Sequence, residues 1–117
     1  MKWRNDMGCR GTIEIIEKDN DPSVFLYTHW GANKMLSQIT TTLKKKKKWN
    51  NASYLTRMIF CEMVKGDEKE CNGYGIQTWR TGDAEEEITV NVERQWVKQE
   101  EVNKPSKVFT FKELSEE

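Results

Sequence analysis

The sequence predicts an α+β domain: a mainly antiparallel sheet of about five strands with two helices packed on one face, in the order ββααβββ. Three observations carry this prediction. Val24, Leu26 and Thr28 alternate with Phe25, Tyr27 and His29, and Ile88, Val90 and Val92 alternate with Thr89 and Asn91, the period-two pattern of half-buried strands. Leu55, Ile59 and Met63 recur four apart in NNASYLTRMIFCEMVKG, residues 50–66, the densest apolar stretch of the chain. Strand runs flank a pair of helical runs, which collects the helices against one side of a sheet.

In chain order, residues 1–10 read as a loose leader. Residues 11–17 form a strand through Thr12, Ile13, Ile15 and Ile16, whose β-branched side chains suit a pleated surface. The turn at residues 18–22 has a mechanism: Asn20 and Asp21 bond their own backbone and Pro22 fixes its φ. Residues 23–29 then return as the second arm of a hairpin. HWGAN turns the chain into a helix over about 33–45, with Met35, Leu36, Ile39 and Leu43 as its apolar stripe and Ser37, Gln38, Thr41 and Thr42 pointing away. Lys44, Lys45, Lys46, Lys47 and Lys48 close or follow this helix, where cations suit the negative end of its dipole.

The helix over residues 50–66 has Asn50, Asn51 or Ser53 to cap its start and Gly66 to leave it left-handed. Tyr54, Met58, Phe60 and Cys61 widen its apolar surface, so it is expected to be covered on most sides, with Arg57 and Glu62 at its rim. A charged loop follows at 67–72, then a third strand over 73–79 and an acidic loop over 80–87. Residues 88–92 form a strand, and 94–99 either continue it or turn back around Trp96 and Val97. Residues 100–106 are a polar connection. A short final strand runs through Val108, Phe109 and Phe111, and 112–117 is a short helical turn or a frayed end.

A chain of 117 residues is one domain, able to bury about two-thirds of its unfolded surface. Nineteen basic and nineteen acidic side chains cancel, which removes any general electrostatic case for nucleic acid or membranes. Cys9, Cys61 and Cys71 are odd in number and lack metal or redox spacing, so they read as reduced thiols in a cytoplasmic protein. No signal peptide or membrane-length apolar run occurs.

Catalytic readings fail on chemistry. Cys9 and His29 supply a nucleophile and a base but no orienting third group, so a non-enzymatic protein is expected. His29 is the sole histidine, which excludes a multi-His metal site, and no cofactor motif is present. Gly73-Tyr74-Gly75 lacks the lysine and the strand-to-helix setting of a phosphate cradle. The acidic stretch from Asp83 to Glu87 reads as a solvated loop, with cation binding or nucleic-acid mimicry as the sharper alternative.

Gly8-Cys9-Arg10-Gly11, Tyr27-Thr28-His29-Trp30-Gly31, Trp49, Tyr54-Leu55-Thr56-Arg57-Met58-Ile59-Phe60 and Gly73-Tyr74-Gly75-Ile76 lie spread over nearly the whole chain. This arrangement resembles a family of small proteins encoded by phages, prophages and archaeal viruses. The resemblance implies a mobile-element origin and a host-cell cytoplasmic setting, and brings no activity with it. By analogy of context, proteins of this kind bind host complexes, anti-CRISPR and other anti-defence inhibitors among them.

Three functions stand as expectations. The first is an interaction protein that docks on a host protein or ribonucleoprotein complex and inhibits it, with Trp30, Trp79 and Trp96 as anchors and Lys44 to Lys48 or Asp83 to Glu87 for steering. The second is a binder of nucleotides or signalling oligonucleotides, in a pocket where Arg10, His29, Trp30 and Tyr74 converge. The third is a nucleic-acid accessory protein acting through the five lysines. A tryptophan-rich face equally suits a homodimer.

Overall fold

The computed structural model describes residues 9–117. Trp3 and most of the leader expected over 1–10 lie outside the described residues. The strands are β1 (Gly11–Ile16), β2 (Val24–Thr28), β3 (Tyr74–Gln77), β4 (Glu86–Asn91), β5 (Trp96–Glu101) and β6 (Lys107–Thr110). The helices are α1 (Met35–Lys44), led by a 3₁₀ turn over Ala32–Lys34, then α2 (Ala52–Val64) and α3 (Phe111–Ser115).

The fold is α+β, as expected, but among the described residues the sheet has six strands in the order β3-β2-β1-β4-β5-β6. Four of its pairings are antiparallel and the central one, β1 with β4, is parallel, which makes the sheet mixed. The chain order is therefore ββααββββα rather than ββααβββ. The additional strand comes from the segment over 94–99. Gln95 sits at φ +57, which lets the four-residue turn after Asn91 reverse the chain into an independent β5.

Register divides the sheet into two faces. Ile13 opposes Leu26 and Ile88, Ile15 opposes Val24 and Val90, and Val90 opposes Val97, so these side chains share the inner face. The helices cover that face. Met35, Ile39 and Leu43 of α1 and Leu55, Ile59 and Met63 of α2 join the sheet residues in one core. Fully burying each of these side chains contributes about 1.5–3 kcal/mol. Gly11 permits the close approach of α1: a Cβ there would stand 2.6 Å from Met35 Cε and 2.9 Å from Ala32 Cβ.

Two helix expectations need correction. Thr42 does not point away from the core but is fully buried, its hydroxyl donating to the Gln38 carbonyl at 3.0 Å. α2 is buried along one stripe only, and Tyr54 is 52% exposed with Cys61 also exposed, because α2 has the sheet and α1 as neighbours and solvent on its remaining sides. Its cap follows the sequence, with Asn51 Oδ1 accepting from Tyr54 N at 3.1 Å.

Of the two alternatives for the C-terminus, the short helical turn is the one observed, beginning one residue earlier than expected. Phe111 belongs to no strand. It opens α3, whose start is fixed by a reciprocal capping box between Thr110 and Glu113. Phe111 and Leu114 are buried against α1 and the sheet, and Trp49 meets the Phe111 ring edge-on at 5.7 Å.

The outer face carries no helix, yet Thr12 and Phe25 are buried there. The eight-residue connection from β3 to β4 passes on this side, where Arg80 lies 5.3 Å over the Phe25 ring. β3 and β4 run in the same direction with β2 and β1 between them, so this connection must cross two strands to reach its place in the sheet.

Candidate functional site

Among the described residues β3 is an edge strand of four residues whose one sheet neighbour is β2. Alternate residues of such a strand turn their N–H and C=O groups outward, unpaired. Ile76 lies on the inner-face side of β3, opposite Leu26, but 61% of it is exposed because the helical layer stops short of the edge. Beside it a groove of about 260 Å³ runs between β2 and the first turn of α2, lined by Ile15, Val24, Ala52 and Ile76 with Glu17 and Thr56.

The two most exposed tryptophans among the described residues bracket this strand. Trp30 packs against Gly73 at its start, and Trp79 follows its last residue, Gln77, by two. Trp30 is 53% exposed and Trp79 is 62% exposed. Trp96, the third expected anchor, is half-buried on the outer face, where it opposes Asn91 and Thr110, away from this edge.

The sequence-expected pocket of Arg10, His29, Trp30 and Tyr74 does not form as one site. Arg10 Nε lies 3.4 Å and Tyr27 Oη 3.1 Å from His29 Nδ1, and Arg10 Nη1 pairs with Asp83 at 2.6 Å. This cluster belongs to the outer side with Tyr27. Tyr74 opposes Thr28 and therefore faces the inner side, so the sheet separates it from Arg10 and His29. Trp30 stands at the sheet end, its ring edge-on to His29 at 4.7 Å.

A cavity of about 250 Å³ lies on the inner side instead, between the ends of β2 and β3 and the helices α1 and α2. Trp30 and Tyr74 line it together with Lys34, Gln38, Lys65 and Asp67. The Tyr74 hydroxyl donates to Asp67 Oδ2 at 2.6 Å, and this bond to a carboxylate, aided by partial burial, pushes the phenol up to about 12.

The other expected surfaces are dispersed. All five lysines of the run are exposed. Lys45 pairs with Glu62 at 3.3 Å, Lys48 lies 4.5 Å over the Tyr54 ring, and Lys46 and Lys48 hold positive φ values that turn the run back on itself. The acidic stretch is not a loop throughout: Glu86 opens β4 on the inner face, where it is buried and accepts from Gln99 Nε2 at 2.9 Å. Burial raises the Glu86 carboxyl above its ordinary value despite that hydrogen bond. Asp83 is held by Arg10 and Glu87 by Arg80, so much of the negative charge is already answered.

Cys9 is joined to His29 through the backbone, its N–H donating to the His29 carbonyl at 2.9 Å. The Cys9 side chain packs against the core, whereas the imidazole is held on the outer side by Tyr27 and Arg10, so thiol and base do not form a pair. Among the described residues no three His, Cys, Asp or Glu side chains cluster to hold a metal ion, and no helix is long and apolar enough to cross a membrane.

Sequence reading missed Ile76 as a surface residue and missed Lys34, Gln38, Lys65 and Asp67 as a group. The exposure of Ile76 had no signal, since it depends on where the helical layer ends. Lys34 and Lys65 flank the two helices, and only the packing of α1 on α2 brings them to one cavity. No protein-family model, curated protein or solved structure matches the chain.

Proposed function

We propose that the chain is a non-enzymatic binding module whose partner lays an extended segment along the open edge of β3. The observation that carries this reading is Ile76, exposed in the middle of an unpaired edge strand, with Trp30 and Trp79 at its two ends. Main-chain hydrogen bonds to β3 supply the pairing, and an apolar side chain of the segment fills the groove beside Ile76. Exposed tryptophans flanking such a strand are efficient anchors, because they remove much apolar surface from water and have few rotors to immobilise. On the resemblance to mobile-element proteins alone, the partner is a host macromolecular complex and the outcome is its inhibition.

The test is capture from host lysate, treated with nuclease, by tagged wild type, Ile76→Asp and Trp79→Ala, with folding of each checked by circular dichroism. A protein retained by wild type and depleted about tenfold or more by both variants supports the reading. Equal retention by all three forms sinks it. A concentration-dependent dimer of wild type that Ile76→Asp abolishes would instead make the occupant a second copy of the chain.

A further inference from the structure

We propose that the inner cavity binds a mononucleotide, its base against Trp30 and Tyr74 and its phosphate at Lys34 and Lys65. This goes beyond the docking reading and uses the cavity at the Tyr74 end of β3 rather than its open edge.

The aromatic surface is prepared in advance. Gly73 adopts φ +92, and a Cβ there would stand 2.3 Å from Trp30 Cζ3, so the backbone lies directly against the indole. His29 also stands edge-on to the Trp30 ring, with the centroids 4.7 Å apart. A tryptophan held this way yet 53% exposed offers a flat surface whose ordering cost has already been met. The hydrogen bond from Tyr74 to Asp67 fixes the second ring in the same sense.

The charges fit a phosphate. Neither Lys34 nor Lys65 forms an ion pair among the described residues, in contrast to Lys45, Lys98 and Lys104. Asp67 is occupied by Tyr74, and the lining as a whole carries two cations against one carboxylate. Gln38 makes no side-chain hydrogen bond among the described residues, which leaves its carboxamide for the donor and acceptor groups of a base edge. A cavity of about 250 Å³ holds a base and part of a ribose, with the phosphate answered by Lys34 and Lys65 of its lining. The groove beside Ile76 is of similar size, but among the described residues its only charged lining residue is Glu17, so it suits an apolar side chain and not an anion.

The experiment is calorimetric titration of the full chain with AMP, GMP, CMP and UMP, each beside its nucleoside and beside inorganic phosphate. The expected result is saturable binding of at least one nucleotide, about tenfold or more tighter than its nucleoside or phosphate alone. Lys34→Glu with Lys65→Glu, both at exposed positions, should weaken that nucleotide about tenfold or more and leave the nucleoside unchanged. Ile76→Asp should bind it as wild type does, which separates this site from the β3 edge. No binding of any of the four nucleotides at millimolar concentration overturns the proposal, as does a nucleoside that binds as tightly as its nucleotide or a lysine variant that binds as wild type does.

Discussion

Arg80 reaches across the outer face of the sheet to Glu14, 66 residues earlier, with Nη2 2.9 Å from Oε1. Its Nη1 holds Glu87 at 2.6 Å, and its guanidinium lies 5.3 Å over the ring of Phe25. One side chain thus fastens the β3–β4 connection to β1, β2 and β4. Arg80→Ala should destabilise the chain by about 1–2 kcal/mol, the scale of a partly exposed bidentate pair with a cation–π contact. Arg80→Lys should recover less than half of that, since an ammonium cannot hold both carboxylates in plane. Urea denaturation of the three forms measures this, and equal midpoints would remove Arg80 as the fastening.

Gly73 and Gly66 make a matched pair. Both have positive φ, but a Cβ at Gly66 meets nothing within 4 Å, while at Gly73 it meets the Trp30 ring. Gly66→Ala should cost about 1 kcal/mol through backbone conformation alone. Gly73→Ala should cost about 2–4 kcal/mol and shift the tryptophan emission, because strain and collision add. Comparable costs for the two, read from denaturation midpoints, would mean that Trp30 does not rest on Gly73.

Leu114 lies three residues before Glu117 and is 1% exposed. Leu114→Ala should cost about 2–4 kcal/mol, the range for a large-to-small change in a packed core. A cost within about 0.5 kcal/mol would favour the frayed end over the helical turn, the two alternatives the sequence left open at 112–117.

Glu86 governs an acid response of unusual sign. Its folded carboxyl titrates above the ordinary 4.5, because burial disfavours the charge. The folded state therefore holds the proton more tightly than the unfolded chain does. The resulting cost to stability is absent below the ordinary value and grows as pH rises from it through the folded one. Glu86→Gln, which keeps the bond to Gln99 within reach, should raise Tm at pH 7 and lose that advantage below about pH 4. An advantage that persists unchanged to pH 3 would assign it to something other than ionisation.

Tyr74 offers a spectroscopic check on the cavity. Its phenol, held near 12 by Asp67, should fall toward the ordinary 10.0 in Asp67→Asn. Absorbance titration at alkaline pH reads the tyrosinate directly, and an unshifted curve would mean that the Tyr74–Asp67 bond is not formed.

Local pattern made much of this molecule legible in the sequence. Alternation at residues 24–28 and 88–92 placed strands and their faces, spacing at Leu55, Ile59 and Met63 placed the buried stripe of α2, and Asn51 capped it as its side chain allows. These features depend on neighbours within a few residues, so the sequence by itself determines them. The parallel pairing of β1 with β4 joins segments about 75 residues apart, and no period in either strand reports on which partner it takes. The crossing connection and the burial of Phe25 beneath Arg80 follow from that pairing, and the separation of Arg10 and His29 from Tyr74 follows from the register of β2 with β3. So does the exposed edge at Ile76, because strand order decides which strand is left without a neighbour. Tertiary structure alone decides such things: whether a side chain is covered, paired or open is set by what arrives beside it from distant parts of the chain.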